Sequence, residues 1–392
     1  MDTGRVDRLA TLLSMDRQEA GIGVRAIPRA EAVGVAQAPR VDDILDVAEA
    51  NLSRPPDVDV GDWQQAHGLF FNNARKALKK LERGDRALAP DEGYAAEAVI
   101  IGDGTRPSFL LCGNKVADDD PFIRTWRNDL TRAQAGVASL AATVGRIQPE
   151  NGHASKFIGT GTLVQSVDDN EDLVLTNYHV VKMAEDRFDV AMRRTGKGFD
   201  IDGVLEIDFV GESCSLGSNR HRIVEVRLPE GFGETFSGYD VVVARLDKGN
   251  GEAALPAPLP LLNAEPSYAT GAMDSLALVG FPAAPGTRDG DIDWGFVIGT
   301  LFGNKFGVKR MAPGKFTDGL GSHPSDRTAR RAIGHDATTF GGASGSLVAA
   351  WLDTGPPCFA IHFGGATGLN NYALSFAAAR RVLEPLGVRF AP

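Results

Sequence analysis

Leu173-Val174-Leu175-Thr176-Asn177-Tyr178-His179-Val180-Val181 is an apolar, β-branched run that breaks at a polar pair and delivers one imidazole. Two further stretches complete its meaning. Tyr239-Asp240-Val241-Val242-Val243-Ala244 opens a second apolar run with a carboxylate, and Gly341-Gly342-Ala343-Ser344-Gly345-Ser346 sets a serine among glycines. A serine hydroxyl is a poor nucleophile at neutral pH. It needs an imidazole to take its proton, and that imidazole needs a carboxylate to hold its tautomer and stabilise its cation. Base, orienter and nucleophile stand here in the chain order His179, Asp240, Ser344.

The glycines beside Ser344 have a chemical reason. The peptide N–H groups of Gly342 and Ser344 are expected to face the oxyanion that develops during acyl transfer, and a side chain at position 342 would obstruct that turn. Losing one such donor costs about 3 kcal/mol of transition-state stabilisation. Asp247 competes with Asp240 but closes the apolar run instead of opening it, and Ser346 is expected to enter the next strand. His335-Asp336 lies too close to Ser344 in sequence to supply the distant base and reads as loop residues shaping a pocket. His153, His221 and His323 fall in polar stretches. No Cys/His spacing resembles a zinc site, and Gly159-Thr160-Gly161-Thr162 lacks the Gly-Lys-Ser/Thr ending of a phosphate loop, so neither metal nor cofactor is expected.

Outward from these segments the pattern is β-rich. Short β-branched runs at 158–164, 173–176, 204–209, 222–228, 241–246, 275–279, 295–301, 345–350 and 358–363 are separated by Gly, Asn, Asp and Pro, which predicts an all-β barrel or sandwich. A helix is expected over 375–383. Residues 1–125 read differently. Helical spacing recurs over 41–50 and again over 62–82, where Leu69, Phe70, Ala74, Ala77, Leu78 and Leu81 form one stripe between an Asp62 cap and a Gly84 stop. Strands are expected at 96–101 and 108–112, and a third helix from 122 to 144. The expected organisation is a helical N-terminal region over 1–125, adaptor or regulatory in role and a site for a protein partner, followed by a catalytic domain over 126–392.

The bulk properties narrow the partners. Net charge is −10, which offers no broad attraction to nucleic acid or anionic lipid. The basic cluster Arg75-Lys76-Ala77-Leu78-Lys79-Lys80 reads as a solvated helix face. No apolar stretch is long enough to span a bilayer. The three cysteines, Cys112, Cys214 and Cys358, are odd in number and widely spaced, which argues against a disulfide framework. The N-terminal residues lack the apolar region of a secretory signal. A cytoplasmic protein is the expectation.

The order His, Asp, Ser is that of the chymotrypsin superfamily, not of subtilisins or α/β-hydrolases. From about Ala141 onward the chain resembles the trypsin-like serine peptidases, above all the bacterial branch that includes the glutamyl endopeptidases. Gly159-Thr160-Gly161-Thr162-Leu163-Val164 with Leu173 to His179 is similar to the hairpin that delivers the catalytic His. Gly342-Ala343-Ser344-Gly345-Ser346 is similar to the nucleophile loop, and Ile361-His362-Phe363-Gly364-Gly365 to the strand walling the primary specificity pocket. The resemblance implies a mainly β, double six-stranded barrel with a C-terminal helix, and a serine endopeptidase that cleaves proteins or peptides through an acyl-enzyme. It also implies substrate contacts at Thr339, His362 and Gly364, whose hydroxyl, imidazole and open backbone suit an acidic side chain at P1. Ala343 departs from the animal trypsins, which carry Asp there to pair with a newly cut N-terminus. That leaves either a constitutively formed oxyanion hole or control by the N-terminal region or a partner, and a peptidase fold silent without that partner is the alternative reading. A self-cleavage point at Glu92, in Pro90-Asp91-Glu92-Gly93, would fit an acidic preference.

Overall fold

A computed structural model describes Leu45, Glu49 and residues 60–83, 85, 106–120, 123–249, 251–262, 276–284, 302–351, 357–365 and 371–391. The expected strands at 96–101 and 295–301, the turn at 90–93 and most of the expected helix at 41–50 lie outside these residues. The chain divides into two compact units. One draws on Met1–Pro107, Gly286–Asn304 and Thr367–Leu369, the other on Ser108–Pro285, Lys305–Ala366 and Asn370–Pro392.

In the first unit, helix α1 spans Val60–Glu82. Phe71, Ala74, Ala77 and Leu78 are buried on it, whereas Leu69 is exposed. The buried stripe therefore runs through 71, 74 and 78, at i, i+3 and i+7, and Leu69 faces outward, correcting the stripe drawn from hydrophobicity alone.

The second unit opens with β1 (Phe109–Cys112), β2 (Lys115–Val116) and helix α2 (Ile123–Thr143). The first sheet then comprises β3 (Val144–Pro149), β4 (Gly159–Val164), β5 (Leu173–Thr176), the hairpin β6 (Met192–Arg194) and β7 (Gly198–Ile201), β8 (Leu205–Asp208), β9 (Arg220–Arg227) and β10 (Val242–Leu246). Helix α3 (Tyr178–Phe188) interrupts it after β5. Its strands run β10-β5-β4-β3-β8-β9, and a further β10–β9 pairing closes the barrel. The second sheet contains β11 (Leu276–Gly280), β12 (Arg310–Gly314), β13 (Phe316–Asp318), β14 (Ala332–His335), β15 (Leu347–Ala349), β16 (Cys358–Gly365) and β17 (Asn371–Ser375), in the order β13-β14-β17-β16-β15-β11-β12-β1-β2. Helix α4 (Phe376–Leu383) follows. The fold is mainly β and chymotrypsin-like, as expected.

Strand β10 shows how the sheets share a core. Alternate side chains point to opposite faces. Val242, Ala244 and Leu246 join Leu163, Val174, Ile207 and Ile223 inside the first barrel. Val241 and Val243 instead pack with Ala277, Val279, Leu347 and Ile361 of the second sheet. Both faces are dry, which is why the run reads as continuous Val-Val-Val-Ala and not as an alternation.

Polar bolts supplement that core. Cys112 on β1 is disulfide-bonded to Cys214, 102 residues further along in the loop after β8. The expectation of no disulfide is thereby overturned, because spacing along the chain says nothing about which strands meet; the cysteine count no longer supports a reducing compartment. The Glu212 carboxylate accepts the Gly113 and Asn114 N–H groups at 2.6 and 2.8 Å beside the disulfide. Lys309, fully buried, donates from Nζ to the carbonyls of Ala141 and Phe209 at 2.8 and 2.6 Å, and burial pushes its ammonium down to about 8. Cys358 is buried and takes no part in the disulfide, and burial pushes its thiol up to about 12, so it is chemically quiet.

Candidate active site

His179 is the second residue of α3, directly after β5. Asn177 occupies the N-cap position in extended conformation, and its Nδ2 donates to the Asp240 carbonyl at 2.6 Å. That bond ties the end of β5 to the start of β10, its antiparallel neighbour. The Asp240 side chain is then fully engaged. One carboxylate oxygen accepts the His179 main-chain N–H at 3.1 Å. The other accepts the Thr235 N–H at 2.8 Å and lies 2.8 Å from His179 Nδ1. A carboxylate can only accept, so Nδ1 carries the hydrogen and Nε2 is left with its lone pair outward. The Asp240 side chain is 0% exposed and the His179 imidazole 20% exposed, so the carboxylate is dry while the imidazole can reach a ligand.

Ser344 reaches the same neighbourhood through β4. The Thr160 N–H donates to the Ser344 carbonyl at 3.0 Å. A Cβ placed on Gly159 would lie 2.8 Å from Val180, the residue after His179, and 3.4 Å from the Ser344 carbonyl. Two adjacent residues of one strand thus touch both the His179 segment and the Ser344 turn. Any side chain at 159 would push them apart.

The turn itself is shaped by anchored carbonyls. Gly341 O accepts from Ala283 N at 2.6 Å, and Ala343 O accepts from Ser346 N at 3.0 Å. In a trans peptide the N–H points opposite to the C=O. Holding those two carbonyls turns the Gly342 and Ser344 N–H groups to the other side, and neither has an acceptor among the described residues. The Thr160 hydroxyl donates to Gly342 O at 2.7 Å and accepts from Phe281 N at 3.1 Å. Gly342 has φ +89°, and a Cβ there would lie 2.5 Å from the Phe281 carbonyl; Gly345 has φ +95°, with the Thr160 carbonyl 1.9 Å from a Cβ. Both positions require glycine. Ser346 is fully buried and directly precedes β15, at the entrance to the next strand. Thr160 and Asn177 carry no local signal of their tying roles, which arise only from the pairing of β4, β5 and β10.

His362 lies on β16, buried, with Nδ1 3.2 Å from Nε2 of His335 on β14. His335-Asp336 is therefore not a loop: His335 ends a buried strand, and Asp336 accepts the Lys315 N–H at 2.6 Å. His221 likewise sits buried in β9 and not in a polar loop. Desolvation, then the neighbouring His335 and His179, hold the His362 imidazole well below its ordinary 6.5. Beyond it, a Cβ on Gly364 would meet nothing within 4 Å, so this end of β16 borders open space. Thr339 is half-buried between β14 and the Ser344 turn.

His362 titrates at its ordinary value once unfolded but resists protonation when folded. His221 is lowered by burial in the same direction. The unfolded chain therefore binds more protons below pH 6.5, and stability falls as the pH drops through that value. Each such group steepens the loss by up to about 1.4 kcal/mol per pH unit. Denaturant midpoints at pH 7, 6 and 5 should decline, and His362→Gln should flatten the decline; an unchanged slope would contradict the buried neutral imidazole.

A closed antiparallel barrel joined to a second antiparallel sheet, carrying an imidazole–carboxylate pair on one and a glycine-bounded serine turn on the other, defines a chymotrypsin-like hydrolase. The family model for the trypsin-like peptidase domain matches residues 159–351. A probable serine protease of Lysobacter enzymogenes is 56% identical over 397 residues, covering 100% of both chains. The chain belongs to the trypsin-like serine peptidases and is a serine endopeptidase acting on protein or peptide substrates. Among the described residues no group of three or more His, Cys, Asp or Glu is placed to hold a metal ion, and no helix is long and apolar enough to cross a membrane.

Proposed function

We propose that His179, Asp240 and Ser344 act as one triad. His179 Nε2 takes the proton of the Ser344 hydroxyl as its oxygen attacks the scissile carbonyl, and Asp240 holds the imidazole and stabilises its cation. The Gly342 and Ser344 N–H groups receive the oxyanion. His179 returns the proton to the leaving amine, and water, activated by the same imidazole, hydrolyses the acyl-enzyme. The observation that carries this reading is the fully satisfied Asp240 carboxylate, which leaves only Nε2 of His179 available as a base.

Primary specificity on this reading is for an acidic P1 side chain, held near Thr339, His362 and Gly364. His362 is backed by a second imidazole, so the pair can pass a hydrogen inward and present a donor, or a positive charge gained on binding, to a carboxylate.

One digest of a peptide library, with Ser344→Ala beside the parent chain, tests both levels. Cleavage and fluorophosphonate labelling are expected for the parent and absent in the variant, and cleavage should favour Glu over Gln at P1 by at least about tenfold. Labelling that persists in Ser344→Ala would remove the triad; equal cleavage after Glu and Gln would remove the acidic preference alone.

A further inference from the structure

We propose that Arg331 is a positioning residue for catalysis: from the second sheet it clasps the first-barrel loop that carries Asp240, and so sets the orienter against the nucleophile's half of the molecule. The proposal rests on the triad reading above.

The loop in question is Gly231 to Tyr239. It closes on itself, with Tyr239 N donating to Gly231 O at 2.9 Å and Gly233 N donating to Tyr239 O at 3.3 Å. Thr235 within it has φ +51°, an unusual value for a β-branched residue. In that conformation its N–H meets the Asp240 carboxylate at 2.8 Å. A conformation of this kind persists only where the surroundings over-determine it. Part of those surroundings is the first barrel's own helix α3, where Lys182 Nζ donates to Glu234 at 2.6 Å; the rest comes from the other sheet.

Phe236, the next residue, is partly buried and held by three rings. Its ring stacks flat on His323 at 4.0 Å and stands edge-on to Phe363 at 5.2 Å and Tyr372 at 5.4 Å. Its carbonyl accepts from Arg331 Nη2 at 3.0 Å. The same guanidinium lies 5.0 Å from the centre of the Tyr239 ring, and the Tyr239 hydroxyl accepts from Arg381 Nη2 at 3.2 Å. Arg331 thus bridges the residue after Thr235 and the residue before Asp240.

Arg331 is itself built in. Its side chain is 15% exposed and its Nε lies 3.9 Å from Asp326 Oδ1. The other Asp326 oxygen accepts the Arg331 and Ala332 N–H groups, each at 2.7 Å. Arg331 directly precedes β14, the strand that ends in His335 against His362. One short segment therefore carries a clasp on the orienter loop at its head and support for the proposed P1 pocket at its foot. A packing contact that only stabilised the fold would need none of this aim toward the two residues flanking the Thr235–Asp240 bond.

The test uses the full-length chain. Arg331→Met removes the fork while keeping the stem. The readouts are kcat, KM and the rate of fluorophosphonate labelling of Ser344, all taken well below each variant's melting temperature. Misplaced groups remote from the chemistry cost about 10- to 100-fold in rate, so kcat and labelling should fall by about that much with KM within about threefold. Arg331→Lys, which restores a cation and one donor, should recover part of the loss. Arg227→Met serves as the comparison: Arg227 holds Glu171 and Glu225 within the first barrel and does not touch the loop, so stability should fall while kcat stays within about twofold. Arg331→Met with kcat within about twofold of the parent overturns the proposal. If Arg331→Met does not fold, Phe236→Leu and Arg381→Met decide it, each expected to lower kcat by about three- to tenfold, with unchanged kcat in both refuting the clasp. A parent chain whose labelling survives Ser344→Ala would instead refute the triad, a distinct outcome.

Discussion

Asp240→Asn is expected to lower kcat by about 10⁴-fold while leaving the protein folded. The magnitude follows from hydrogens, not from charge alone. Asp240 takes three donors on two oxygens: the His179 N–H, the Thr235 N–H and the His179 ring. An amide offers one oxygen and one NH₂. With its oxygen kept on the His179 main-chain N–H, its NH₂ takes the position that faces both the Thr235 N–H and His179 Nδ1, so the Thr235 N–H loses its acceptor and Nδ1 must then accept. The ring hydrogen moves to Nε2, and the imidazole can no longer take a proton from Ser344. The shape of the site is conserved, so KM should change little and the loss should sit in kcat. Steady-state kinetics together with a melting curve checks it. A loss under about tenfold would mean that Asp240 does not set the tautomer.

The second large effect concerns the joint between the sheets. Reducing the Cys112–Cys214 bond, or replacing both residues by Ser, frees a closed loop spanning 102 residues. Constraint of the unfolded chain by a loop of that size contributes about 4–5 kcal/mol. For a domain this large, each kcal/mol shifts the melting temperature by about 2–4 °C, which predicts a fall on the order of 10 °C. Glu212 still accepts Gly113 and Asn114, and Lys309 still bridges Ala141 and Phe209, so the fold and the activity at 25 °C should survive. Calorimetry with and without reductant reads the difference. A shift below about 2 °C would show that these polar bolts already hold the joint.

Much of the site was legible in linear order. His179, Asp240 and Ser344 each adjoin a strand that the apolar runs predicted, and a glycine at 342 was required by the turn; the same requirement at 345 came from the structure. Strands β2, β3, β6, β7, β12, β13, β14 and β17 were not anticipated. Val144-Gly145-Arg146-Ile147-Gln148-Pro149 and Arg310-Met311-Ala312-Pro313-Gly314 carry Gly145 and Pro313 in their interiors and end in Pro149 and Gly314, against local strand preference. They are strands because neighbours on both sides pair with them: β3 with β4 and β8, β12 with β11 and β1. Helix α3 escaped notice because Tyr178-His179-Val180-Val181 continues a β-branched run and changes conformation only once β5 has ended.

The order of three chemical groups, the glycines around one of them and the β-rich pattern after residue 140 are local properties, and the sequence alone determined them, with the trypsin-like class that they imply. Partnerships at long separation were decided by the tertiary structure. Cys112 with Cys214, His335 with His362, Thr160 with Ser344 and Arg331 with Phe236 join residues whose spacing carries no periodic signal. The physical reason is that propensity and periodicity act over a few residues, whereas sheet closure brings strands together through pairings whose loop entropy is offset only when the whole core is buried.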